Sequence, residues 1–172
     1  MSLSPASWLR KLWQGALHVQ RTLLVLGAVL LTLLIFAQVV ARYLFQTAIF
    51  GIEETAVYIA IWFYFLGGAV GAEQREHISA SLADVLVKGP TAQQAIKLLA
   101  CLISVVVCAW MVVWSWGLAQ WSLSLGMMST ELHIPVGYIH LAMPVGLGLM
   151  TLYFFVELVE HGVELVRRLR AP

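Results

Sequence analysis

Residues 22–41 read TLLVLGAVLLTLLIFAQVVA, twenty consecutive positions without an acid or a base. A helix rises 1.5 Å per residue, so such a run covers about 30 Å, the thickness of a bilayer's hydrocarbon core. A lone strand would leave its backbone N–H and C=O groups unpaired in lipid, whereas a helix pairs them internally. The run therefore predicts a transmembrane helix. Outward from it, Thr55–Ala72, Leu98–Thr130 and Leu132–Val156 are likewise free of Asp, Glu, Lys and Arg. The expected fold is all-α and integral to a membrane, one domain over residues 1–172 with four spans at about 22–43, 53–73, 94–121 and 135–160.

Composition agrees. Hydrophobic residues make up 61% of the chain and charged ones 11%, against about a quarter charged in soluble domains. A net charge of +1 with no basic patch gives no footing for nucleic acid. Arg10, Lys11 and Arg21 precede the first span, Arg75, Lys88 and Lys97 lie between the second and third, and Arg167, Arg168 and Arg170 follow the fourth. Only Arg42 falls on the other side. The positive-inside rule then places both termini and the middle loop in the cytoplasm. The first span is longer than a signal-peptide core and has no obvious A-x-A-like cleavage site before the next helix, so it reads as a permanent anchor.

Two amphipathic stretches flank these spans. Residues 5–18 set Trp8, Leu12 and Trp13 against Arg10, Lys11 and Gln14, the pattern of a helix lying in the interface. Residues 77–88 repeat Ile78, Leu82, Val85 and Leu86 at helical spacing and end at Gly89-Pro90. They predict a short helix along the cytoplasmic surface.

The stretch between the first two spans, ARYLFQTAIFGIEETAVYIAIWFYFLGGAVGAEQREHI (41–78), concentrates the chemically costly choices. Its link is short, so spans one and two are expected as antiparallel neighbours. Glu53 and Glu54 open the second helix, where the unpaired N–H groups of a helix start favour carboxylates. Arg42 is expected to pair with one of them, within the chain or across to a partner. Gly67 and Gly71 form a G-x-x-x-G pair that permits close helix approach. In the third span Trp110, Trp114 and Trp121 share one side, and the later tryptophans approach the outer interface as an aromatic belt. Pro144 inside the fourth span predicts a local kink.

No span carries an acid or a base near its centre, which an autonomous ion-coupled transporter ordinarily requires. No catalytic, substrate-binding or metal-binding residue is assigned. Glu157, His161 and Glu164 share a helical face but read as a solvated helix end. Cys101 and Cys108, seven residues apart, read as small packing residues, about 10 Å apart on a helix and too far for a disulfide. The rival reading is the membrane anchor of a redox complex bearing a haem, with His18 and His161 as the conceivable axial pair.

Arg42-Tyr43-Leu44-Phe45, Glu53-Glu54, Trp62, Phe65-Leu66-Gly67-Gly68-Ala69 and Glu76-His77-Ile78 together resemble the small membrane subunit of tripartite ATP-independent periplasmic (TRAP) transporters, the DctQ-like family. Thr130-Glu131-Leu132-His133-Ile134-Pro135-Val136-Gly137-Tyr138, continuing to Met143-Pro144-Val145-Gly146, resembles that family's fourth helix. The resemblance implies a bacterial inner-membrane complex. A periplasmic protein binds an organic acid, a large membrane subunit carries it by a sodium-driven elevator motion, and the small subunit packs on the stationary scaffold. It implies no cofactor in this chain, sodium coupling in the large subunit, and contacts with that subunit, with lipid and, through the complex, with the binding protein. Arg42, Glu53, Glu54, Trp62, Gly67, Gly71, His77 and Ile78 are the expected structural or partner-facing positions, with His77 and Ile78 seating the surface helix.

Overall fold

The computed structural model describes residues 5–74 and 89–170. The chain forms α1 (Pro5–Tyr43), α2 (Ile52–Glu73), α3 (Pro90–Ser124), the single turn α4 (Gly137–His140) and α5 (Ala142–Arg170). Among the described residues, four stretches are long and apolar enough to cross a membrane: Trp13–Tyr43, Ile52–Glu73, Ala92–Ser124 and Gly137–Arg167. The all-α membrane architecture is therefore the expected one. The surface helix expected at 77–88, with His77 and Ile78, lies outside the described residues.

The segment 5–18 is helical but continuous with the first span. Its sequence holds no proline beyond Pro5 to interrupt the backbone ladder. Its inner side, and the turn that follows, pack on the other helices. Leu17 and Gln20 are buried, and the Trp13 ring meets Tyr153 of α5 edge-on, centroids 5.3 Å apart at 82°. Tertiary packing recruits the residues that amphipathicity assigns to a membrane surface.

The helices do not close into a symmetric bundle. By main-chain proximity α1 packs on α2, α2 on α5 and α5 on α3, giving the order α1–α2–α5–α3. Only 6% of the most apolar stretch is buried in α1 and in α3, against 39% in the α4–α5 span. α5 is the spine.

Small residues make that spine possible. A Cβ on Gly146 would fall 2.6 Å from the Phe65 Cβ and 2.8 Å from its carbonyl oxygen, so α5 touches the α2 backbone there. Further along, the fully buried Ala69 and Ala72 join Tyr153, Phe154, Leu17 and Cys108 in the core. The G-x-x-x-G pair plays a different part from Gly146. A Cβ on Gly67 would stand at ordinary contact distance, 3.8 Å, from Leu24 of α1, and one on Gly71 would meet open space.

Pro144 stands in the first turn of α5, and α4 and α5 are separated at Leu141 alone, which keeps right-handed helical dihedrals (φ −63°, ψ −21°). Proline has no N–H to offer the His140 carbonyl four residues back. The ladder resumes on either side, with Leu141 N–H bonding Gly137 O at 3.1 Å and Val145 N–H bonding Leu141 O at 3.2 Å.

Candidate functional site

The polar chemistry gathers at the two ends of the helices. At one end, the α1–α2 link meets the loop between α3 and α4. Gly51 begins α2 in the left-handed region (φ 77°), and its N–H donates to Glu131 Oε2 at 2.7 Å. Glu54, one turn on, returns the contact. Its Oε2 accepts from the N–H groups of Leu132 at 2.8 Å and Glu131 at 3.1 Å, and its Oε1 from Thr130 N–H at 3.1 Å. The Tyr58 hydroxyl donates to the same Oε1 at 2.6 Å. Each carboxylate thus binds the backbone from which the other projects.

The loop is shaped to present those N–H groups. Met128 and Pro135 form an antiparallel bridge, Ser129 N–H bonds the Ile134 carbonyl at 2.9 Å, and Val136 N–H bonds Met127 at 2.9 Å. His133 takes a positive φ of 53° at the tip. Leu132 then lies against Gly51, where a Cβ would come within 2.6 Å of its Cδ2. With both oxygens of Glu54 occupied, the cluster fastens two loops and presents no free base.

Beside this clasp, Arg42 Nη2 pairs with Glu53 Oε1 at 2.9 Å, and the Gln38 amide donates to the same oxygen at 2.9 Å. The expected Arg42–glutamate pair therefore forms within the chain, with Glu53; Glu54 serves the loop. At the opposite end, Arg21 pairs with Glu73 at 2.8 Å. In both pairs the cation is on α1 and the acid on α2. The pairs are 21 residues apart on α1 and 20 on α2, about 30 Å of helix and one hydrocarbon thickness. That separation is the one that two opposite membrane levels have.

Sequence reasoning missed the buried bolt near the second level. Gln20 donates to the Leu66 carbonyl of α2 at 3.0 Å and accepts from the Tyr153 hydroxyl of α5 at 2.7 Å. Three helices meet at one amide. No local pattern joins residues 133 positions apart.

Among the described residues, Cys101, Glu157 and His161 bring ligand atoms within 4.8 Å of one another and so could hold a metal. Cys101 takes the place that helical spacing suggested for Glu164. The Gln94 amide lies 3.0 Å from His161 Nδ1 and donates to the His161 carbonyl at 3.2 Å. An amide oxygen there would face that carbonyl, so the nitrogen is the group that reaches Nδ1. His161 Nε2 faces Glu157 at 3.4 Å. Both ring nitrogens are engaged, and the cluster fastens α3 to α5. The proposed haem pair does not assemble: His161 faces Gln94 on the α3 side, whereas His18 is exposed on α1, beyond α2 in the row.

Trp62 is half-buried in a groove of about 410 Å³ between α1 and α2, with Leu23, Leu24, Gly27, Tyr58 and Leu66 among its walls.

Residues 31–162 match the family model described as tripartite ATP-independent periplasmic transporters, DctQ component. The chain belongs to the DctQ family. A protein of Haemophilus influenzae named as a candidate TRAP transporter small permease is 30% identical over 115 residues, 66% of this chain and 68% of that relative. DctQ proteins are transporter subunits and not catalysts, which accords with loop-fastening carboxylates and apolar spans. The matched residues include the whole clasp and both acids of the ion pairs, while Gln20 and Arg21 precede them. As a DctQ component, the chain is a multi-pass membrane protein serving transport.

Proposed function

We propose that this chain is the stationary small subunit of a sodium-coupled importer of organic acids, docked on a large membrane subunit that moves substrate by an elevator motion. The observation carrying this reading is the depth of its charge. Both ion pairs and the clasp stand at the membrane levels, and the spans between them contain no acid or lysine or arginine. A substrate or sodium path needs polar groups at the midplane; a frame needs fastened ends. Arg42, Glu53 and Glu54 supply that fastening.

The sodium site and the organic acid belong to the large subunit, and a periplasmic binding protein delivers the acid. The nine-to-one excess of basic residues supports cytoplasmic termini in a bacterial inner membrane. Trp62, Gly67 and Gly71 offer packing surface.

The test is reconstitution in proteoliposomes with candidate organic acids. Uptake is expected only with both membrane subunits, the binding protein and an inward sodium gradient, and loss of this chain abolishes it. Uptake by this chain alone would overturn the reading.

A further inference from the structure

The exposed helix faces differ in chemistry. α1 exposes Val25, Leu26, Val29, Leu30, Leu33 and Phe36, a surface without polar atoms that suits lipid tails. α3 exposes Trp110 and Trp114, 67% and 69% accessible. Their depth is the anomaly. Both line a hollow with Phe65, Met143 and Leu147. Phe65 stands 12 residues from Glu53 and 8 from Glu73, about 18 and 12 Å from the two membrane levels. An interfacial belt describes Trp121, three residues from the end of α3, but not these two.

A lipid-facing indole at mid-depth has no acceptor for its N–H, which is why membrane tryptophans collect at the interfaces. Neither Trp110 nor Trp114 has a hydrogen-bond partner among the described residues. The surface is also hollowed. Two depressions of about 530 Å³ each share Trp114 and Leu118, and the second opens over Gly117, where a Cβ would touch nothing. Adjacent hollows at helical spacing receive the side chains of a crossing helix, and Trp and Met are enriched where proteins meet proteins.

We infer that the Trp110–Trp114 face of α3, with Met143 and Leu147 of α5, is the surface that docks a transmembrane helix of the large subunit. That helix would offer carbonyl or hydroxyl acceptors to the two indoles and bulky side chains to the hollows. The inference rests on the accessory-subunit reading for the identity of the partner, and assigns α1 to lipid.

The experiment uses the co-expressed complex. A photo-cross-linking amino acid is placed singly at 110, 114, 29 or 33, and products are identified by mass. Cross-links to the large subunit are expected from 110 and 114 and not from 29 or 33. In parallel, W110L/W114L is expected to lower co-purified large subunit about tenfold or more, with unchanged helical content and F36L as the neutral control. If the wild-type chain captures the large subunit but the links arise from 29 and 33, or from 110 and 114 to lipid or to a second copy of this chain, the docking face is wrong and the accessory reading stands. If W110L/W114L captures as much large subunit as wild type, the indoles are not the docking contact. If the wild-type chain captures no large subunit, both readings fall.

Discussion

Glu54 and Leu132 are 78 residues apart in sequence and joined by a 2.8 Å hydrogen bond from the Leu132 N–H to the Glu54 carboxylate. That bond, with its neighbours from Glu131, Thr130 and Tyr58, makes one acid the meeting point of α2 and the loop between α3 and α4. The adjacent Glu53 holds only side chains, those of Arg42 and Gln38. Two consecutive glutamates therefore have unequal weight.

Glu54→Ala is expected to lower the melting temperature of the detergent-solubilised protein well below that of Glu53→Ala, because it strands three backbone donors. Glu54→Gln should fall between them, keeping one acceptor oxygen. Tryptophan-fluorescence melting curves of the three variants check the order; equal losses would refute it.

Arg42 and Glu53 are both about half exposed, so their pair contributes under about 1 kcal/mol and weakens with salt. Arg42→Ala should change stability little. The swap R42E/E53R should match wild type more closely than either single reversal, whether or not the large subunit is present. Rescue only in the complex would move the pair across the interface.

Gly146→Ala drives a methyl into the Phe65 backbone and is expected to cost about 1–3 kcal/mol. Gly71→Ala enters open space and should stay within about 0.5 kcal/mol. Thermal melts of the two variants distinguish them.

Tyr153→Phe removes the donor to a buried Gln20 oxygen, an expected loss of about 1–3 kcal/mol. Gln20→Leu removes both of that amide's bonds. A double-mutant cycle should show coupling, since the residues touch. Strictly additive losses would count against the bolt.

The spans were legible because lipid imposes one rule on every residue it touches: twenty apolar positions and no unpaired backbone. Arg42 and its acids were legible because charge at a helix end is rare in so apolar a chain. What Glu54 binds was not, because its partners are N–H groups common to nearly every residue, delivered by the bend of a loop far along the sequence. Gly146 was quoted within a family-like segment, yet no pattern distinguished it from Gly67 and Gly71; only the path of α5 across Phe65 does. The packing of the lead-in was not legible either: tryptophan beside lysine serves an interface and a core edge equally well, and only the fold sets Trp13 against Tyr153.

The reciprocal clasp also has a history. The α1–α2 hairpin can form both ion pairs as soon as Glu73 is made, whereas Glu54 needs an amide at Leu132, 59 residues after Glu73. At 5–20 residues per second, the ribosome takes roughly 3–12 s to supply it. Through that interval the hairpin is held by its salt bridges while its second acid waits, and the last contact to close tells the membrane that the third span has arrived.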